Sequence, residues 1–350
     1  MLLKPTTFLQ HFRRKTILLN LFLLLLIFSY QKTYSQEDSE WLHYKPKQST
    51  QAEKKVVLIS GDEEYRSEET LPMLAKILTT HHGFETVVLF AIDPKTKIID
   101  PNNQNNIPGL HHLADADLMI IATRFRELPD HQMKHIDNYL TKGKPVIGLR
   151  TSTHAFNYAK DNTSPYRHYS FNHKGGAWDG GFGRLILGET WINHHGDHGK
   201  EGTRGLINGL EVVNKNPILQ GVTDIWGPTD VYGINSQLKD ATILLYGQST
   251  DGMSAQSPIS WKKTILPVAW TKPYKIPNGT TGKVFATTMG AATDFVSDDF
   301  RRLIINACLW SLDLSHLITN ETNIEYVAPY KPTMFGFGSF KKGLKPKDYQ

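Results

Sequence analysis

The sequence predicts an α/β protein built on a doubly wound, mostly parallel sheet that carries a long glycine-rich insertion. Three observations predict this. Short apolar runs and helix-period segments alternate four times over about residues 54–150. The runs are continuously apolar, as strands buried on both faces require. Their carboxyl ends run into segments rich in charge and hydroxyls, where open α/β sheets bind ligands.

Val56–Ser60 (VVLIS) is the first strand. The helix after it carries Leu71, Leu74, Ala75 and Leu78 at helical spacing, and Pro72, tolerated in a first turn, places its start near Glu69. Thr86–Phe90 and Leu118–Ala122 are the next two strands. Asp130 reads as the N-cap of a helix through Met133, Ile136 and Leu140 that stops at Gly143. Val146–Leu149 is the fourth strand. From Asn157 to about Pro228 the chain is irregular and rich in glycine, too long for a plain connection. Strand signals resume at Ile243–Tyr246, Pro267–Trp270 and Val284–Thr288, and a closing helix covers Asp298–Leu312, capped by Thr293 and Asp294. Residues 36–53 read as a disordered lead-in, 54–313 as the α/β domain and 314–350 as a surface arm.

Residues 1–35 have the order of a secretory signal peptide: a basic stretch, the apolar run Ile17–Phe28, then SYQKTYSQ, with cleavage after Ser35. The expected protein is therefore exported, periplasmic or secreted. Twelve residues are too few for a stable anchor, since a membrane span needs about 20. The leader holds five Lys or Arg and no acid, so removing it takes the formal charge from +5 to zero. A neutral chain lacks the footprint of a nucleic-acid binder. Cys308 is the sole cysteine and lies in the apolar LIINACLW, which excludes an internal disulfide and makes a buried, inert thiol the expectation.

The chemistry concentrates in Leu187–Gly205, LGETWINHHGDHGKEGTRG. Nineteen residues supply His194, His195 and His198, three carboxylates and five glycines, a loop composition. His194 and His198 are four apart and His195 and His198 three apart, so either pair could share a metal ion if the backbone were helical, with Glu189 as a further ligand or acid. Imidazole and carboxylate suit zinc, iron or manganese. The same groups can instead bond a substrate, act as acid and base, or pin the loop. His154, just past the fourth strand, is a candidate general base or a turn-fixing residue. Arg150 beside it suits an anion or a sugar oxygen. Arg124 and Arg126 are two apart and share a side in extended chain, which fits an anionic or polyhydroxyl ligand or surface pairing. WGPTDVYG places Trp226 and Tyr232 beside Asp230, as sugar platforms do, although a tryptophan is more often core. The acids Asp62, Glu63 and Glu64 read mainly as complements of a helix dipole. The pairs His81/His82 and His111/His112 read as surface residues at helix ends.

GLRTSTHAF, GGFGRLILGETWINHHGDHG, WGPTDVYG and the series LPVAWTKPY, GKVFATTMGAATDF and RRLIINACLW follow one another in an order that resembles the ThuA-like, trehalose-utilisation family. The resemblance covers about residues 54–313. It implies a flavodoxin-related fold of the class I glutamine amidotransferase type and carbohydrate work of unfixed reaction, some members being joined to domains that act on 3-keto-glycosides. Amidotransferases display a nucleophilic cysteine on the turn after a central strand. Gly148–His154, the corresponding turn, has none, so thiolate hydrolysis of glutamine is excluded.

The reading that follows is an exported protein that hydrolyses or cleaves a sugar derivative, a glycoside or keto-glycoside. His154, His195, His198 and Glu189 are the expected catalytic groups. Arg150, Arg124, Arg126, Asp230, Trp226 and Tyr232 are the expected substrate contacts, and His194 with His198 the expected metal ligands. A small carbohydrate is the expected partner, and a homo-oligomer stays open. The alternative is a carbohydrate-binding module without turnover. An interaction scaffold draws support only from the basic stretch at 340–347.

Overall fold

The computed structural model describes residues 39–47, 53–234 and 238–350; the expected signal peptide lies outside them. The first strand, β1 (Trp41–Tyr44), falls in the segment expected to be disordered. It is followed by β2 (Lys55–Gly61), helix α1 (Ser67–His82), β3 (Glu85–Leu89), β4 (Leu118–Thr123), α2 (Asp130–Thr141) and β5 (Val146–Leu149). The insertion contributes the short strands β6 (Asn193–His194), β7 (Thr203–Ile207) and β8 (Ile225–Gly227), with a one-turn helix α3 (Glu211–Asn214), and β9 (Tyr232–Gly233) follows just beyond it. The chain closes with β10 (Thr242–Ser249), β11 (Leu266–Tyr274), β12 (Gly282–Thr287) and α4 (Asp298–Ser311).

Ten strands form one mixed sheet in the order β1-β3-β2-β4-β5-β12-β11-β10-β7-β8. This corrects the expected mostly parallel sheet. β3, β2, β4, β5 and β12 run parallel, with Val57 opposite Val87, Leu58 opposite Ile120 and Ile147 opposite Phe285. Beyond β12 every pairing is antiparallel, as is that of β1 with β3. The reason lies in the connections. A parallel pair needs a crossover of about a dozen residues or more, usually a helix, whereas only residues 275–281 join β11 to β12. β7 and β8 come from inside the insertion, where no apolar run marks them.

In the parallel half, successive residues of each strand face opposite layers. Val56, Leu58, Ile120 and Phe285 pack with α1 and α4, burying Leu71, Leu74, Leu303, Ile304 and Cys308. Val57, Ile59, Met119 and Ile121 pack on the other side with Met133, Ile136 and Leu140 of α2. Helices thus cover both faces, and the carboxyl ends of β2, β4, β5 and β12 share one rim.

Local capping differs from expectation in two places. Asp130 is the first helical residue after Pro129 and makes no cap bond, while α4 is capped by Ser297, whose Oγ accepts from Phe300 N at 3.4 Å. Asp294 instead accepts from Thr229 Oγ1 and from the main-chain N–H groups of Gly290 and Ala291 at 2.8–3.0 Å. It therefore ties the segment after β12 to the segment after β8. α1 begins at Ser67, so Pro72 lies past the first turn. The thiol of Cys308 is fully buried, and that burial pushes its pKa up. Among the described residues no helix is long and apolar enough to cross a membrane.

Candidate functional site

The rim above the parallel strands is organised by Arg150. It is the first residue after β5, and its φ of 35° is unusual for a residue with a side chain. A strained turn at this place is where such folds display a nucleophile; here it displays a guanidinium. Nη1 donates to the carbonyls of Thr288 (2.8 Å) and Asp230 (3.1 Å), and Nη2 to Asp230 Oδ1 (3.0 Å) and the Tyr65 hydroxyl (3.2 Å). Its planar head lies between the rings of Tyr65 and Tyr232, 4.2 and 4.0 Å from their centroids. Arg150 is 1% exposed, so this is a fully desolvated cation held by one carboxylate and two π faces.

Asp230, itself buried, presents its other contacts to the histidine loop. His194 Nδ1 is 2.7 Å from Oδ2, and His198 Nδ1 is 3.1 Å from Oδ1. Strand β6 pairs with β9 in the register His194 opposite Tyr232, which fixes how the loop lies over Asp230. Gly196 permits the close approach: a Cβ there would sit 2.9 Å from Asp230 Cβ. Burial opposes ionisation of Asp230, yet His194 and Arg150 outweigh it and hold the pKa below the usual carboxylate range. The second ring nitrogen of His198, Nε2, meets Glu64 Oε1 at 3.2 Å. Among the described residues, His194, His198 and Asp230 are the one group of three whose ligand atoms lie within 4.8 Å of each other.

The residues after β2 form the second tier. Asp62 accepts from the N–H groups of Glu64 and Tyr65 and from Thr151 Oγ1 at 2.7 Å, locking the ends of β2 and β5 together. Glu63 binds Arg126 Nη2 at 2.8 Å and also Arg124. Burial raises the pKa of Glu64, and Asp62 adds to the rise.

The expected site residues therefore separate. His194, His198, Asp230, Arg150 and Tyr232 come together. Arg126 is fully buried and spends its donors on Glu63 and on the carbonyls of Pro101, Asn103 and Arg124, which makes it a fixed brace. Arg124 is the more accessible, paired with Glu63 and lying over Phe125 at 4.4 Å. His154 is buried among the rings of Phe125, Trp191 and Tyr232, with Thr153 Oγ1 3.1 Å from Nδ1. That burial, with Arg124 and Arg150 nearby, drives its pKa well below the ordinary value. His195 turns away, its Nε2 bonded to the carbonyl of Thr264 at 2.9 Å. Glu189 accepts from Arg184 Nε and Thr190 N, both at 2.8 Å, within the insertion. Trp226 sits in β8 across from Arg204 and takes no part in the aromatic contacts around the histidines.

The sequence pattern placed Glu64 and Tyr65 at a strand end but led to Glu64 being read mainly as a helix-dipole complement, and neither was among the expected site residues. The signal available was their position at the carboxyl end of a buried strand, which outweighs any dipole role.

The polar cluster lies above the parallel strand ends, the place where open α/β sheets bind ligands. The chain belongs to the ThuA family, described as trehalose utilisation, whose profile matches residues 55–311. No curated protein matches it. Among solved structures it is similar to a ThuA-like protein from Parabacteroides merdae, at 14% identity over 75% of this chain and 90% of that one, with a TM-score of 0.47. It is also similar to the exo-beta-1,4-mannosidase Op5Man5 from an Opitutaceae bacterium, at 11% identity and a TM-score of 0.32, covering 75% of this chain and 36% of that one.

Proposed function

We propose that this chain is an exported enzyme that cleaves a sugar derivative, a glycoside or keto-glycoside, at a divalent metal centre held by His194, His198 and Asp230. The observation that carries this is the pairing of ligand and support around one point. One ligand atom from each of His194, His198 and Asp230 lies within 4.8 Å of the others, near enough to converge on an ion with bonds of about 2.1 Å. Metal-binding imidazoles characteristically give their other nitrogen to a carboxylate, as His198 gives Nε2 to Glu64 at 3.2 Å. Arg150 and its two tyrosines fix the Asp230 carboxylate in place. Two imidazoles and one carboxylate suit zinc, iron or manganese, and an ion bound there would activate water or polarise a carbonyl oxygen.

The family description supports the carbohydrate class. The turn after β5, with a strained arginine where a thiol would act, supports an amidotransferase-type fold adapted to other chemistry. Elemental analysis of the purified protein, followed by incubation with trehalose and a 3-keto-disaccharide with and without chelator, tests the proposal. About one ion per chain and chelator-sensitive cleavage are expected. Turnover by metal-free protein would leave the histidines as direct acid–base groups. Sugar binding with no turnover would reduce the chain to a binding module.

A further inference from the structure

The family match ends at residue 311, but the arm that follows reaches the site. Tyr330 donates to the carbonyl of Ala292 at 2.8 Å, and Thr333 bonds Glu69 through both N–H and hydroxyl at 2.7 Å. Gly336 N then donates to Glu64 O at 2.9 Å, and Arg66 bonds Gly336 O and Ser339 Oγ. Farther on, Lys341 pairs with Glu69 at 3.0 Å. The arm is thus fastened on both sides of Phe335. His81 and His82, expected at the surface, hold its start through the carbonyls of Glu325 and Asn323. Gly336 has φ of 138°, a backbone state that side chains rarely adopt.

The Phe335 ring lies 5.5 Å from Tyr65 and 5.4 Å from His198. On the other side Trp191 lies 5.8 Å from His194, and the two imidazoles are 4.6 Å apart. Four rings therefore run in a row, Trp191, His194, His198 and Phe335, with the two metal-ligand candidates in the middle and an aromatic at each end. The indole Nε1 of Trp191 is buried without a hydrogen-bond partner. A buried donor left open at a ligand site is suited to an acceptor oxygen of the ligand.

We propose that Phe335, from outside the shared domain, is a specificity-determining wall of this site, and that with Trp191 it selects ligands whose ring has an apolar face and a polar rim, a pyranose. This rests on the carbohydrate reading above. Because the arm is pinned at Thr333 and at Gly336, the wall is preformed rather than a closing lid.

The test is the affinity for trehalose by calorimetry, and KM and kcat where turnover is seen, for the full chain and for Phe335→Ala, Phe335→Leu and Phe335→Tyr. Losing one stacked aromatic face should weaken binding about tenfold in Phe335→Ala, with KM rising more than kcat falls. Phe335→Leu should recover little, and Phe335→Tyr most of the loss. Unchanged affinity in Phe335→Ala overturns the proposal and leaves the carbohydrate reading standing. If the unaltered chain binds neither trehalose nor methyl glucoside, the carbohydrate reading falls and takes the pyranose with it. The wall is then judged by modification of His198 with diethyl pyrocarbonate. Faster modification in Phe335→Ala upholds it, and an unchanged rate overturns it.

Discussion

Arg150 and Asp230 are joined twice, through the side-chain pair Nη2–Oδ1 at 3.0 Å and through Nη1 to the Asp230 carbonyl at 3.1 Å. The second bond means that the arginine holds the backbone of the segment after β8 as well as its carboxylate. The ion pair is almost free of solvent, with side chains 1% and 0% exposed. Removing one member of such a pair leaves the other charged and unpaired in the interior. Asp230→Ala should therefore lower the unfolding free energy by about 3–5 kcal/mol. His194→Ala, which deletes a partly exposed partner of the same carboxylate, should cost about 1 kcal/mol or less. Urea denaturation of the two variants measures the difference; equal losses would remove Arg150–Asp230 from the centre of the site's architecture.

Metal content separates the three histidines of the loop. His194→Ala and His198→Ala should each cut bound metal at least tenfold, by loss of one ligand of three. His195→Ala should leave it unchanged, because that ring faces Thr264 and not Asp230. Retention of metal in His198→Ala would break the proposed coordination. Loss of metal in His195→Ala would show that the loop rearranges around the ion.

How much of this was legible in the sequence depends on which force wrote it. Val56–Ser60, Leu118–Ala122 and Val146–Leu149 lie within β2 and β4 and span β5 because burial on both faces leaves an unbroken apolar run. β1 and β8 lie at the two ends of the sheet order, and the short β1, β7 and β8 left no such run. The histidine loop was visible as composition, and Arg150 as the first residue of a rim turn. What composition cannot carry is orientation. His195 is adjacent to His194, yet one faces Thr264 and the other Asp230, because β6 ends at His194 and the chain bends at His195. Glu64 and Phe335 reach the site by pairings across 134 and 270 positions, and nothing local encodes those.

Glu189 shows the same limit from the other side. Rich in neighbours by sequence, it is committed to Arg184 and to its own loop. Glu189→Gln should keep the metal stoichiometry and most of any turnover, and should cost about 1 kcal/mol of stability, since Arg184 is well exposed and the pair is screened. Abolished metal binding in this variant, with the fold intact by circular dichroism, would return Glu189 to the reacting centre.

Glu68, in the first turn of α1, is buried, and beyond its own main-chain N–H neither carboxylate oxygen has a hydrogen-bond partner. Burial pushes its pKa up from 4.5 to about 8. The native state therefore keeps a proton that the unfolded chain has already released. Stability from this group is fully present below the unfolded value and declines as pH rises through the interval, by at most about 1.4 kcal/mol per pH unit, becoming level above about pH 8. Glu68→Gln cannot release a proton, so its melting temperature should change less between about pH 5 and about pH 8 than that of the unaltered chain. At the alkaline end the variant should be the more stable of the two, because the unaltered chain must there hold an unpaired carboxylate in its interior. Parallel melting curves for the two proteins across that range would mean that Glu68 is solvated or paired in solution.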